Sequence, residues 1–188
     1  MKRKKIIGNS VRFALYAAVA LFFIWAISNS YFDYIFSQSD TFLVLLRQHV
    51  VLVLVSSLLA ILIAVPAGIL ITRPKFKKVE WVFSNIANLG QTIPSLAVLA
   101  LMISILGIGF QTAVFALFIY SILPIFRNTV AGIDSIDKNM IDAAKGMGMK
   151  PHQILFRIEL PNSAYSILAG IRTAVVLNIG TAALAYVV

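Results

Sequence analysis

Apolar residues in this chain gather into five long runs, separated by short polar or basic stretches. The runs cover roughly residues 13–27, 50–71, 81–106, 112–126 and 163–188. Crossing about 30 Å of hydrocarbon at about 1.5 Å per residue takes about 20 mostly apolar residues. Backbone polar groups cannot go unpaired in lipid, so each run is read as a helix. No alternating Val/Ile pattern with turn signals suggests a barrel. The pattern predicts an all-α, polytopic membrane bundle of about five helices, organised as one domain over residues 1–188.

Composition strengthens this reading. The 188 residues are 60% hydrophobic and 12% charged, where a soluble domain carries about twice that charge. The mean hydropathy is +0.93. The net charge of +9 suggests a nucleic-acid binder, but the polar surface such a domain needs is missing. No nucleic-acid partner is expected; the partner is the lipid bilayer. With no cysteine, disulfides, thiolate metal sites and cysteine nucleophiles are excluded.

Charge also orients the chain, because basic loops stay in the cytoplasm. With a cytoplasmic N-terminus and five crossings, every Lys and Arg except Arg47 and Arg172 lies inside. The predicted location is therefore a membrane crossed several times, with the basic loops on its cytoplasmic side. Lys2-Arg3-Lys4-Lys5 before an apolar run also resembles a signal peptide. The run is long and aromatic (Phe13, Phe22, Phe23, Trp25), with no Ala-x-Ala site after it. A retained first helix is expected.

Several local features refine the helices. Residues 41–49 read as an outer interfacial segment ahead of the second helix. Ser56, Ala60, Ala64 and Gly68 recur at steps of four, a flat stripe for close helix approach within the chain or to a second copy. Pro66 is expected to kink this helix near its inner end, and Pro124 to end or bend the fourth. Gly107 and Gly109 mark a turn between the third and fourth runs. The third run is interrupted at Gly90-Gln91-Thr92-Ile93-Pro94. Asn85, Asn88, Thr92 and Ser95 recur there at helical spacing, with Gln91 beside them. Such a polar face either bonds to a neighbouring helix or lines a translocation path. Pro94, at the break, and Arg172, the one charge within a span, join the path candidates.

The long cytoplasmic stretch 128–162 carries the remaining signal. Asp134 and Asp137 are N-cap candidates for a short helix from Lys138. Met140, Ile141, Ala144 and Met147 form an apolar stripe on it. Gly146 and Gly148 end it. Pro151 opens a second short helix over 151–159, which Leu160-Pro161 stops. Two amphipathic helices on a glycine hinge either dock into a partner or lie on the bilayer.

These residues carry a family resemblance. Asp142-Ala143-Ala144-x-x-x-Gly148, nine residues, then Ile158-x-Leu160-Pro161 resembles the signature loop of binding-protein-dependent ABC importer permeases. That loop reads Glu-Ala-Ala-x-x-x-Gly, nine residues, Ile-x-Leu-Pro, so every spacing matches. Asp142 stands for the usual Glu, with the same charge and a shorter reach. His49 and the helix after it, Gln91-Thr92-Ile93-Pro94-Ser95-Leu96-Ala97, Gly170-Ile171-Arg172-Thr173-Ala174 and Ile179-Gly180-Thr181-Ala182 are similar to the osmoprotectant branch. That branch imports glycine betaine, carnitine and choline.

The resemblance implies a type I importer bundle of the methionine-permease kind. In a bacterial cytoplasmic membrane, the loop would be a coupling element seated in a cytoplasmic ABC ATPase dimer, with the apolar stripe Met140, Ile141, Ala144 and Met147 as its inserted face. Gly148 would be a hinge of close backbone approach. An extracellular or periplasmic solute-binding protein and a second permease copy or paralogue would complete the assembly. Family permeases continue beyond this point, so further sequence is expected after Val188. No Gly-x-x-x-x-Gly-Lys-Ser/Thr run occurs, so ATP and Mg belong to the partner and no cofactor is expected in this chain.

Other classes fare worse. Another solute, such as an amino acid, is the near alternative. An ATP-independent transporter lacks the expected intramembrane carboxylates. An intramembrane enzyme has no support, since His49 and His152 fall on opposite sides of the membrane. No catalytic or metal residue is assigned.

Overall fold

The computed structural model describes residues 2–90 and 92–185, and their side chains apart from those of 2–11, 34, 36, 77–80, 84 and 87. Among the described residues there is no strand. The helices are α1 (Lys2–Ser28), α2 (Asp33–Ser37), α3 (Ser39–Ile71), α4 (Lys77–Gly90), α5 (Ser95–Leu106), α6 (Phe110–Asp134), α7 (Lys138–Gly146), α8 (Pro151–Ile154) and α9 (Leu160–Leu184). A 3-10 turn covers Pro74–Phe76, and a π-turn, Leu155–Glu159, joins α8 to α9.

Among the described residues, three helices are long and apolar enough to cross a membrane: Ser39–Ile71, Phe110–Asp134 and Pro151–Leu184. The expected first span is the shorter apolar stretch Arg12–Ser28. The expected third span is two helices, Trp81–Gly90 and Ser95–Leu106, bent by 96° at the break. Pro94 sits there as the N-cap of α5, with φ −59° and ψ 136°. A proline in that extended conformation cannot continue α4 into α5.

Contacts divide the chain into two compact units, Met1–Arg47 and Gln48–Val188. In the first unit, Ala26 is the one buried side chain among those described. The second unit holds the core, in two clusters. One gathers Leu52, Leu99, Leu117 and Ala182; the other gathers Ala60, Ala64, Ile125, Phe126 and Ala174. Both are built around α3, α6 and α9.

Four expectations from sequence change. The interfacial segment 41–49 is not separate, because α3 starts at Ser39 and runs 33 residues, about 50 Å of helix. Pro124 does not end the fourth span; α6 continues to Asp134, and Asn128 Nδ2 donates to the Pro124 carbonyl at 2.8 Å. Asp134 is thus a helix end and not a cap. Leu160-Pro161 does not stop the second loop helix, since α8 continues through the π-turn into α9.

The last of these has a clear cause. An interior proline leaves the carbonyl four residues back without a donor and presses its ring against it. The π-turn widens the helix just before Pro161: the Leu160 N–H reaches the Leu155 carbonyl, five residues back. Side chains then serve neighbouring carbonyls. Asn162 Nδ2 donates to Ile158 O at 2.7 Å, and Ser163 Oγ to Glu159 O at 2.7 Å. In a membrane this repair costs less than breaking the helix, because freed backbone groups would find no water.

The stripe Ser56, Ala60, Ala64, Gly68 is buried within the chain, so internal packing, not a face for a second copy, is what it serves here. A Cβ on Gly68 would stand 2.8 Å from the Thr129 side chain. Helices α6 and α9 meet more tightly still. A Cβ on Gly132 would lie 2.8 Å from Ser166 Cβ, and one on Gly170 would lie 2.7 Å from Asn128 Cβ and 2.9 Å from the Pro124 carbonyl oxygen. That oxygen is backbone and cannot swing away. Gly170→Ala is therefore expected to destabilise the protein by about 1–3 kcal/mol through overpacking. Gly180→Ala, with nothing within 4 Å of the new Cβ, is expected to be neutral or slightly stabilising. Thermal unfolding in detergent compares the two.

Candidate docking segment between α6 and α9

The segment predicted at 128–162 contracts to the turn after α6, helix α7, a glycine turn and the start of the α8–α9 lever. Asp137 starts α7 as the sequence predicts: its Oδ1 accepts the Asn139 N–H at 2.9 Å. The end of α7 is equally well made. The Gly148 N–H bonds to Lys145 O at 2.9 Å and the Met149 N–H to Ala144 O at 3.1 Å, the paired closure of a Schellman motif. Gly148 supplies the left-handed residue it needs, with φ +78°.

The predicted apolar stripe divides. Met140 and Met147 are exposed, at 44% and 74%, whereas Ala144 is 1% exposed. Ala144 cannot be part of an inserted face, because it is packed within the chain. Its size is what lets α7 lie close to its own neighbours. Ile141 is half-buried, and Asp142 and Ala143 are exposed. Asp142 pairs with Lys145 at 2.9 Å across one turn, an exposed ion pair worth well under about 1 kcal/mol. Close backbone approach at Gly148 is not found within this chain either: nothing lies within 4 Å of a Cβ placed there. Here glycine is required by φ.

The second half of the signature folds against the first. Asn162 Nδ2 lies 3.7 Å from Met140 Sδ. Ile158 and Leu160 are half-buried, and Pro161 is exposed just after the π-turn. Lys150 N–H donates to Gln153 Oε1 at 2.8 Å, tying the entry of α8. Ile154 is buried and anchors the turn from inside. The arrangement presents a short, well-capped helix with a methionine face, on a rigid continuation into the longest span.

The path candidates are not brought together. Asn85 Nδ2 donates to Trp81 O at 2.8 Å within α4, and Thr92 Oγ1, in the break, donates to Leu89 O at 2.7 Å. Asn88 is exposed and Ser95 half-buried. Gln91 lies outside the described residues. Arg172 is exposed on α9.

Two polar links escaped the sequence reading. Asn178, 0% exposed, donates from Nδ2 to Ser56 Oγ at 3.1 Å and Ser57 Oγ at 2.9 Å. A single amide in an apolar run was the available signal, since a buried amide must find partners. The second link joins Arg73, just past α3, to Glu159 in the π-turn. Nη1 reaches Oε1 at 3.1 Å and Nη2 reaches Oε2 at 2.7 Å. Nothing in the sequence announces a pair 86 positions apart.

Comparison with known proteins agrees with the signature. Residues 64–188 match the family model described as binding-protein-dependent transport system inner membrane component. The chain is 40% identical over 185 residues to the osmoprotectant import permease protein OsmY of Salmonella typhimurium, covering 98% of this chain and 76% of that protein. It is 45% identical over 138 residues to the choline transport system permease protein OpuBB of Bacillus subtilis, covering 73% of this chain and 63% of the relative. It is 46% identical to the carnitine transport permease protein OpuCB of Listeria monocytogenes, covering 73% and 62%. The chain thus spans about three-fifths of the last two relatives. Among solved structures, inward-facing forms of the MetNI methionine ABC transporter match with TM-scores of 0.62 and 0.65 at 25% identity. They cover 73% and 76% of this chain, and 69% and 73% of the matched chains.

Gly148→Ala separates backbone strain from crowding. A left-handed non-glycine residue costs about 1–2 kcal/mol, so the variant is expected to lose about that much stability although its methyl meets nothing. Asp137→Ala is expected to lose about 1 kcal/mol as a cap. Chemical denaturation in detergent measures both.

Proposed function

Since this chain belongs to the binding-protein-dependent transport system inner membrane components, we propose that it is the permease subunit of an ATP-driven importer of compatible solutes such as glycine betaine, carnitine or choline. The observation that carries the reading is the signature segment itself. Its Asp142-Ala-Ala-x-x-x-Gly half forms a capped helix closed at a left-handed glycine. Its Ile-x-Leu-Pro half covers the end of the π-turn and the start of α9, where α8 runs without a break into a membrane span.

The mechanism follows from that continuity. A cytoplasmic ABC ATPase dimer receives α7 through exposed Met140 and Met147, flexible apolar groups suited to a partner groove. It holds the ATP and Mg. Closure of the dimer displaces α7 and α8, and the unbroken helix from Pro151 to Leu184 carries that displacement into the membrane. Helix α6, packed closely on α9 at Gly132 and Gly170, moves with it. An extracellular or periplasmic binding protein delivers the solute, and a second permease copy or paralogue completes the pathway.

A quaternary ammonium has no N–H to donate and is held through cation–π contact. That cage is assigned to the binding protein; the permease offers passage without tight binding. Helix α4 and the break before α5 are the proposed lining, with Asn85, Asn88, Gln91, Thr92, Pro94, Ser95 and Arg172 as candidates. The choice of compatible solutes over amino acids rests on relatives at 40–46% identity, against 25% for the methionine transporter.

Replacement of Gly148 by Trp is expected to lower ATP-driven uptake of radiolabelled glycine betaine, carnitine or choline by at least about tenfold, equivalent to about 1.4 kcal/mol. Membrane insertion should be unchanged, as checked by blotting of membrane fractions. Normal uptake by the variant would remove the coupling assignment. Uptake of methionine but none of the three quaternary amines would reassign the solute.

A further inference from the structure

We propose that Arg73 and Glu159 form a positioning pair that makes α3 travel with the docking segment, so that the ion pair, and not apolar packing alone, delivers the segment's movement to this helix. The inference rests on the reading of α7–α9 as a coupling segment.

Glu159 is the last residue of the π-turn, between Ile158 and Leu160 of the signature, and is 8% exposed. A carboxylate so placed needs a partner. Arg73 supplies one: its Nη1 donates to Oε1 at 3.1 Å, and its Nη2 stands 2.7 Å from Oε2 as an ion-pair contact, a charge-assisted link stronger than a neutral hydrogen bond. Arg73 is itself oriented: its Nε donates to Ile69 O at 3.0 Å, placing its positive charge at the C-terminal end of α3. The pair therefore grips helix end to helix start.

The second polar link makes this a lever. Asn178 holds Ser56 and Ser57 further along the same two helices. The two links are 19 residues apart on the α8–α9 helix and 16 or 17 apart on α3, about 25–28 Å at 1.5 Å per residue. Two directional attachments at that separation stop one helix from tilting or sliding against the other. The alanines and glycine of α3 that lie between them are smooth, so packing there resists separation better than sliding. Releasing the Glu159 end leaves α3 held only at Ser56 and Ser57, and free to lag.

The test uses the assembled complex of permease, ATPase and binding protein in proteoliposomes. In Glu159→Gln, uptake per ATP hydrolysed is expected to fall by about tenfold, the scale of coupling changes along such networks. ATP hydrolysis and the amount of assembled complex should hold. The exchanged variant Arg73→Glu with Glu159→Arg should recover most of the ratio. A merely structural role would lower assembly, hydrolysis and uptake together. An unchanged ratio in Glu159→Gln, or no recovery in an exchanged variant that assembles, overturns the proposal.

A second measurement needs neither ATPase nor solute. Spin labels at exposed Leu70 and His152 (Leu70→Cys, His152→Cys) should give a narrow distance distribution in the parent, a broad one with Glu159→Gln, and a narrow one again after exchange. Equal widths in all three overturn the pair. A parent complex that imports no compatible solute overturns the proposed function instead, and the label distances still decide the pair.

Discussion

The approach of α6 to α9 at backbone distance is the contact on which the remaining structure depends. Gly132 faces Ser163 and Ser166, and Gly170 faces the Pro124 carbonyl and Asn128. Each glycine lets small polar side chains of the facing helix lie against its backbone, and at Gly170 the Pro124 carbonyl oxygen lies there as well. Lipid cannot supply a hydrophobic drive between apolar helices, and close van der Waals contact takes its place. Ser166 Oγ adds a bond to Asn128 O at 2.9 Å. Once these two helices are fixed, α3 packs across them through its own small residues, and α5 covers the other end of the core.

That packing also explains two prolines which break no helix. Pro124 lies at the tightest point of the α6–α9 contact, where Asn128 caps its carbonyl. Pro161 follows a π-turn in which Asn162 and Ser163 serve the nearby carbonyls. In each case the chain repairs the defect with its own side chains and continues. The functional consequence lies in the second repair. In the proposed coupling, a broken helix at Pro161 would absorb a displacement of α7 and α8, whereas a widened one would pass it on.

Much of the docking segment was legible from residue types alone. Asp137 as a cap and Gly148 as a left-handed terminator are local chemistry, set by residues within one turn of each other. The inward turn of Ala144 was not legible. An alanine at helical spacing with methionines reads as part of their face, and only the position of α8 shows that it points the other way. The bonding of two polar residues near the α4–α5 break was not legible either. Asn85 and Thr92 satisfy themselves on carbonyls three and four residues back, an option that is always open to short polar side chains in helices.

The sequence by itself determined that the chain is helical, apolar in five places and basic on one side, because lipid imposes backbone pairing and charge bias on every segment separately. It also determined the family, because the signature is contiguous. Tertiary structure alone decided where helices continue through proline, which glycines are contacts and which are turns, and that Arg73 meets Glu159 and Asn178 meets Ser56 and Ser57. Those outcomes depend on which surfaces face one another across many tens of residues. Local propensity and periodicity carry no information at that range.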